Sequence, residues 1–238
     1  MPRLLMSRLS SSKNPISVSK EAGVSRLLAF ISLPAQICGV SLFGFLLWHH
    51  VGQMQKFISI RIWLMEGILY FGLLLAYLLR KPALVHASKP VEILLPPVCA
   101  LLPFSLMIDW ERFFKAPSSL SYARLQNIDY YYVIEPLMLL GTLITIAGIT
   151  SLRGSFSILT EVRPLVTGGI YRYVTHPMYL GEAIAATASA MLRAQPDKWC
   201  LLVLFLVLQY WRLKNEEAKL REVHFDYDEW KKNTLIKL

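Results

Sequence analysis

The sequence has little charge and very little cysteine, and each shortage excludes a class of protein. Only 17% of the 238 residues are charged, whereas 55% are hydrophobic, and a soluble domain would carry more charge than this. The three cysteines, Cys38, Cys99 and Cys200, lie in or beside apolar segments and lack metal-ligand spacing. We therefore expect neither a soluble protein nor a metal site.

Acidic residues are also scarce, with 16 Asp and Glu against 25 Lys and Arg and a net charge of +9. Such an excess of positive charge can indicate nucleic-acid binding, but no nucleic-acid-binding motif accompanies it. Membrane proteins instead collect Lys and Arg in their cytoplasmic loops. We therefore expect membrane lipids as partners and no nucleic acid.

Long apolar runs are what the chain has in abundance. Several extend over about 18 residues or more, the length that a membrane-spanning helix requires. Because backbone groups in lipid must be hydrogen-bonded internally, these spans should be α-helices. The sequence predicts an all-α, polytopic integral membrane protein with about six transmembrane helices. Their approximate bounds are residues 27–48, 60–79, 91–108, 130–150, 177–192 and 199–212.

Composition divides the chain into three parts. Residues 1–26 are basic and serine-rich, which predicts a disordered or membrane-surface tail, with a mitochondrial presequence as the open alternative. Residues 27–128 hold the leading transmembrane helices, and residues 129–238 form the core. This core combines a polar loop at 151–176, a hairpin of the last two spans and a charged helical segment at 213–232.

The distribution of Lys and Arg predicts the orientation in the membrane. The amino-terminal tail, the loop after the second span, the polar loop and the carboxy-terminal tail carry more of them than the alternate loops. The amino and carboxy termini should therefore be cytoplasmic. The polar loop and the charged tail would then lie on one face, where both can contact a cytosolic ligand.

One segment, GGIYRYVTHPMYLGE at 168–182, differs from the apolar runs around it. Its two glycines allow close approach of the backbone, and its proline begins a span, where a missing amide costs least. Tyrosines, an arginine and a histidine accumulate between them. The segment predicts a polar ligand site at the mouth of a membrane helix. Taken singly, His176 also fits an interfacial histidine, and Tyr171, Tyr173 and Tyr179 fit membrane anchors.

Acidic residues in and after the apolar spans form the second signal. Arg212 and Glu216 are four residues apart and share a helix face, although an exposed pair would contribute only about 0.2–0.5 kcal/mol. Glu182 lies inside a predicted span, where an acid costs roughly 2.5–3.5 kcal/mol. Glu182 therefore requires a partner or a wet cavity, and Glu66 raises the same question near the opposite leaflet.

Together, these segments resemble the isoprenylcysteine carboxyl methyltransferase family of integral membrane enzymes. The family patterns are L-V-T-x-G-x-Y, R-H-P-x-Y-x-G and R-x-x-x-E-E-x-x-L, and this chain has them at 165–171, 176–181 and 212–220. The resemblance covers roughly residues 140–232. The chain departs from the patterns at Thr175, where the family usually has arginine, and at Arg163, where a histidine is common. The final aromatic residues, Phe225, Tyr227 and Trp230, are shifted by one position.

The resemblance implies a methyltransferase core that uses S-adenosylmethionine. A histidine and loop amides suit the carboxylate of this cofactor, a glutamate suits its ammonium or ribose, and tyrosine faces suit its adenine and sulfonium. Arg212 falls where the family places a substrate-contacting arginine, and it is the predicted catalytic residue. The residues that would bind the cofactor by position are Arg163, Pro164, Leu165, Val166, Tyr171, His176, Pro177, Met178, Tyr179 and Glu216.

The resemblance also implies a lipophilic acceptor that enters from the bilayer, with the carboxylate of an isoprenylated cysteine or a similar acid as the first choice. A carboxylate nucleophile needs no base, so the enzyme must align the reactants and exclude water. The guanidinium of Arg212 suits one carboxylate oxygen. A lipid amine or other small hydrophobic acceptor is the alternative, and an amine would need a base, for which Glu182 is the candidate. A non-catalytic scaffold, which would bind no cofactor, is the third possibility.

Overall fold

The computed structural model describes residues 33–34, 36–52, 54–56, 59–107, 130–193 and 195–238. Within these ranges the fold is all-α, as predicted, with seven α-helices and two isolated β-bridges. The predicted tail at 1–26 and the polar stretch at 109–129, between the third and fourth predicted spans, lie outside the described residues. The helices are α1 Gln36–Val51, α2 Ile60–Leu78, α3 Pro90–Met107, α4 Glu135–Leu152, α5 Pro177–Arg193, α6 Pro196–Val223 and α7 Tyr227–Asn233.

Among the residues that the structure describes, two helical segments are long and apolar enough to cross a membrane, namely α2 and Tyr132–Ser155, which contains α4. The α1 helix and Pro90–Pro103 of α3 are apolar but shorter. A multi-pass arrangement with six spans and two cytoplasmic termini therefore remains a prediction.

The end of α6 corrects one expectation. The sequence predicts a continuous charged helix to residue 232, but α6 ends at Val223 and α7 begins at Tyr227. The break follows from His224, whose backbone is extended (φ −110°, ψ 100°). The ring of His224 is hydrogen-bonded to the carbonyl of Arg163 at 3.0 Å, which connects the end of α6 to the polar loop.

The α4 and α5 helices approach each other closely, and small residues make the approach possible. A Cβ atom at Gly141 would lie 2.7 Å from both the backbone nitrogen of Ala185 and the carbonyl oxygen of Gly181. A Cβ atom at Gly148 would lie 2.6 Å from the Cγ of Met178. Small residues at a helix crossing allow backbones to approach in this way. The crossing fixes the first turn of α5, which follows the polar loop directly in the chain.

In the structure the polar loop begins at residue 153, because α4 extends to Leu152, and two backbone bridges hold it. Val162 pairs with Val85 in an antiparallel bridge, and its N–H donates to the Val85 carbonyl at 2.9 Å. Val174 pairs with Ile236, whose N–H donates to the carbonyl of Tyr173 at 2.9 Å. The loop is therefore fixed between the segment before α3 and the segment after α7.

Lys219 of α6 forms a third anchor for the polar loop. Its ammonium donates to Glu92 at 2.7 Å, to the carbonyl of His86 at 2.9 Å and to the carbonyl of Thr160 at 3.1 Å. The side chains of Lys219 and Glu92 are both less than a tenth exposed. These buried contacts connect α6 to the start of α3 and to the polar loop.

Candidate active site

A cleft lies between the polar loop, the start of α5 and the second half of α6. Its volume is about 780 Å³, open solvent at the mouth included. Every residue that the sequence predicts for the site lines this cleft except Pro177. Pro177 is fully buried, and its ring lies on the side of α5 that faces Gly148 of α4.

Tyr179 joins the two predicted residues of α6. Its ring lies 4.9 Å from the guanidinium carbon of Arg212, within the range of a cation–π contact. Its hydroxyl donates a hydrogen bond to the carboxylate of Glu216. Arg212 also donates to the carbonyl of Ile158 at 3.1 Å. The predicted helix face of Arg212 and Glu216 therefore faces the cleft, with α5 packed against it.

His176 has a different environment from the one expected. Its Nε2 lies 3.3 Å from a carboxylate oxygen of Glu217 and 3.4 Å from the hydroxyl of Tyr227. Its ring stacks on that of Tyr179 with centroids 5.5 Å apart. A second carboxylate at the same nitrogen would be repelled by Glu217. Nε2 is therefore not available to a cofactor carboxylate, and the role of His176 at the cofactor stays a prediction.

Glu217 is hydrogen-bonded to several residues around His176. We define His176, Glu217, Tyr227 and Lys231 as the Glu217 cluster. The Glu217 carboxylate accepts hydrogen bonds from the hydroxyl of Tyr227 at 3.2 Å and from the ammonium of Lys231. Burial alone would raise the pKa of Glu217, but the hydrogen bonds from His176 and Lys231 outweigh it and lower the pKa to about 2. Glu217 is therefore ionised and ties α5 and α7 to α6.

A second carboxylate, Glu161, organises the opposite wall. We define the Glu161 cluster as Arg80, His86, Ser157, Glu161 and Arg163. Glu161 accepts from Arg80, from Arg163 at 2.8 Å and from Ser157 at 3.0 Å, and His86 Nδ1 lies 3.4 Å away. Burial would raise the pKa of Glu161, but the two arginines lower it below its ordinary value. The cluster joins the end of α2 to the polar loop.

Several residues that line the cleft were not predicted as site residues. Glu161, Ser157 and Thr175 lie in the polar loop, and Tyr227 and Trp230 lie in α7. One signal was available for Glu161, because it precedes the predicted cofactor residue Arg163 by two positions. No comparable signal marks Arg80, which reaches Glu161 only through the packing of α2 beside the loop.

The remaining predicted polar residues also have defined surroundings. Tyr171 lines the cleft and is 8% exposed, and burial, followed by the charges of Glu216 and Glu182, raises its pKa, so its phenol stays neutral. Glu182 accepts a hydrogen bond from Gln209 of α6, which supplies the partner that its position requires. Glu66 lies 3.9 Å from the ring of His50.

Residues 131–226 match the phospholipid methyltransferase family. This family is related to the isoprenylcysteine carboxyl methyltransferases, and the match indicates a membrane methyltransferase without specifying the acceptor. No curated protein matches the chain significantly. The matched residues include the polar loop, α5 and α6, whereas Arg80, His86, Tyr227 and Trp230 lie outside them.

Proposed function

We propose that the chain is an S-adenosylmethionine-dependent methyltransferase that acts in the membrane on the carboxylate of an isoprenylated cysteine or a similar lipophilic acid. The observation that carries the proposal is the state of Arg212. Its side chain is 6% exposed and lines the cleft. The charges of Glu182 and Glu216 act on it, but none of the ion pairs among the described residues includes it. A buried guanidinium of this kind favours an anionic partner.

The cleft also has the donors and acceptors that the cofactor would need. Arg163 has buried N–H groups without a partner among the described residues, and so does the indole of Trp230. Arg163 suits a carboxylate, Glu216 suits an ammonium or ribose hydroxyls, and the faces of Tyr171 and Tyr179 suit adenine or a sulfonium. Residues 164–166 and Met178 supply apolar walls. S-adenosylmethionine, when bound, would supply a methyl group activated by its positively charged sulfur.

The chain would contribute alignment rather than proton transfer. Arg212 would hold one oxygen of the acceptor carboxylate and leave the other directed at the methyl group, as its planar fork allows. The cation–π contact with Tyr179 and the bond to the Ile158 carbonyl fix the guanidinium before the acceptor arrives. Apolar lining residues such as Phe156 and Met178 would exclude water from the reacting atoms. No residue is required as a base.

A route from lipid is consistent with the outer surface of α6. Val203, Val207 and Trp211 lie on this helix and are each more than half exposed, which suits contact with acyl chains. We propose that the acceptor enters from the bilayer beside α6, while the cofactor enters from the cytoplasmic side. Both termini would then be cytoplasmic, as the distribution of Lys and Arg predicts.

A lipid amine is the second candidate acceptor, and two observations favour it. The matched family is named for phospholipid methylation, and Glu182 with Gln209 forms a polar pair between α5 and α6. An amine must be deprotonated before it attacks, so a carboxylate such as Glu182 would be needed as base.

The acceptor class is tested with purified protein in nanodiscs and S-adenosylmethionine labelled in its methyl group. Transfer to farnesylcysteine analogues is compared with transfer to phosphatidylethanolamine. We expect the acid to be methylated, and Arg212→Lys to slow transfer about tenfold or more, because the fork geometry is lost. Glu182→Gln should leave this reaction nearly unchanged.

Two results would contradict the carboxylate assignment. Methylation of the amine alone, abolished by Glu182→Gln, would establish the second candidate. Wild-type turnover in Arg212→Lys would remove Arg212 from its role. Cofactor binding without transfer to either acceptor would oppose both reactions.

A further inference from the structure

The Glu161 cluster has more positive than negative charge. The side chains of Arg80, Glu161 and Arg163 are only 2%, 5% and 3% exposed. Two guanidinium groups therefore share a single buried carboxylate. Without counting His86, the cluster has one excess positive charge. Repulsion between the arginines is evident in the pKa of Arg163, which burial and then the charge of Arg80 lower.

The hydrogen bonds of the cluster are also incomplete. The Nε and Nη1 atoms of both Arg80 and Arg163 are buried without a partner among the described residues. Glu161 cannot satisfy them, because its two oxygens already contact Arg80, Arg163, Ser157 and His86. A buried charged donor without an acceptor is destabilising. The two nitrogens of Arg163, which lines the cleft, are therefore placed to bind an acceptor from outside the cluster.

The cluster opens onto the cleft and is held rigidly. Arg163, Glu161 and Ser157 line the cleft, and Arg80 lies behind them, with its Nη2 3.0 Å from the Ser157 hydroxyl. The guanidinium of Arg80 also lies 5.1 Å from the ring of Tyr77. The bridge between Val85 and Val162 and the bonds of Lys219 fix the surrounding backbone.

We propose that the Glu161 cluster is an anion-binding subsite of the cleft, which receives a carboxylate or phosphate group of a bound ligand through Arg163, with Arg80 as its charge-balancing residue. The choice of ligand rests on the function proposed above. The anion is either the carboxylate of the cofactor or the phosphate of a lipid headgroup. This subsite would replace His176 as the place where a cofactor carboxylate binds.

Arg80 has a specific part in this subsite. It pairs with Glu161, so the charge of Arg163 is not cancelled and remains available to the ligand. Without Arg80, Arg163 and Glu161 would form a neutral pair, and the attraction for an anion would fall although no ligand contact is removed. Arg80 is therefore a positioning and charge-balancing residue.

Calorimetry with two nucleosides tests whether the subsite binds the carboxylate of the cofactor. S-adenosylhomocysteine carries the amino-acid carboxylate, and 5′-methylthioadenosine lacks it. We expect the wild type to prefer S-adenosylhomocysteine, and Arg163→Gln to reduce that preference about 10- to 100-fold, the effect of losing a hydrogen bond to a charged group. Arg80→Gln should reduce it by about tenfold or less, because the charge acts at a greater distance. Binding of 5′-methylthioadenosine should not change.

The matched control is Arg61→Gln at the other end of α2. Arg61 also pairs with a buried glutamate, Glu135, at 2.9 Å, but its side chain is 63% exposed and it does not line the cleft. The Arg61→Gln variant should bind both nucleosides with the affinity of the wild type. Arg163→Lys and Arg80→Lys keep the positive charge. They replace the glutamine variants in the measurement if those variants do not fold. They should give intermediate losses, because lysine cannot reproduce the fork.

Thermal unfolding in neutral detergent, with two lipids that differ in a phosphate group, tests whether the subsite binds a lipid phosphate. Short-chain phosphatidic acid should stabilise the wild type more than the matching diacylglycerol, and Arg163→Gln should remove the difference. Loss of selectivity in either pair supports the subsite and identifies its ligand. Unchanged selectivity in both pairs, with folded variants, would overturn it. A wild type that binds neither nucleoside would refute the proposed function, while the lipid pair would still decide the subsite.

Discussion

Glu217 and Glu161 are both buried carboxylates beside the same cleft, but their clusters differ in how completely they are hydrogen-bonded. The partners of Glu217 are His176, Tyr227, Lys231 and the more exposed Lys214 and Arg221. None of them has a buried side-chain nitrogen or oxygen without a hydrogen-bond partner among the described residues. The arginines around Glu161 have four such nitrogens. One cluster is therefore complete within the described residues, and the other is not.

This difference separates a structural joint from a ligand site. A complete network of buried charges rigidifies the elements that it connects, which suits the connection of α5, α6 and α7 through Glu217. An incomplete network has a free-energy cost that a bound anion would remove. The same residue type at the same depth therefore has two uses, and the balance of donors and acceptors distinguishes them.

The largest expected effect comes from breaking the complete cluster with Glu217→Gln. The amide cannot neutralise Lys231 or accept as strongly from His176, so the free energy of unfolding should fall by about 3–5 kcal/mol. Thermal unfolding in detergent measures this change. Glu222→Gln, an exposed site on the same helix, is the control and should change stability little. Equal stabilities for the two variants would contradict the structural role of Glu217.

An intermediate effect is expected for Glu161→Gln, and its dependence on anions sharpens the comparison. The substitution leaves Arg80 and Arg163 close together without a carboxylate, so the variant should be destabilised by their repulsion. Added sulfate should recover part of the lost thermal stability by occupying the subsite, while Glu217→Gln should show no such recovery. Equal responses of both variants to sulfate would mean that the clusters do not differ as described.

The smallest effect is the response of the wild type to acid. The folded-state pKa of Glu217 is about 2, lowered from an ordinary value of 4.5, so its stabilising contribution is complete above pH 4.5. Stability should therefore decline as pH falls from about 4.5 towards 2, where the folded carboxylate becomes protonated. Glu161 shifts in the same direction. Glu217→Gln should show a shallower decline, and a slope identical to the wild type would contradict the assignment.

The sequence predicted much of the cleft because its residues are grouped in short motifs. Tyr171, His176 and Tyr179 come together in the cleft because they are close in the chain, and the four-residue spacing of Arg212 and Glu216 places them on one face of any helix. Pro177 was expected at the cofactor and instead packs towards α4. Its position at the start of α5 explains both its place in the motif and its absence from the cleft.

The charged partners could not be predicted in the same way. Arg80 and Glu161 are 81 residues apart, and His176 and Glu217 are 41 apart. Such pairs depend on how α2 and α6 pack around the polar loop, which hydrophobic periodicity does not specify. The adjacent acids Glu216 and Glu217 illustrate the limit. The resemblance selected Glu216 for the cofactor, but only the packing of α5 and α7 shows that Glu217 faces the other way into a buried cluster.

The central claim is that the cleft binds S-adenosylmethionine, and ultraviolet crosslinking of the labelled cofactor to purified protein tests it most directly. Mass spectrometry of the digested protein locates the attached label. The account predicts a saturable label on peptides from 157–179 or 212–230, which excess S-adenosylhomocysteine prevents. A saturable label confined to another segment, such as α2 at Ile60–Leu78, or no saturable label on folded protein, would contradict it.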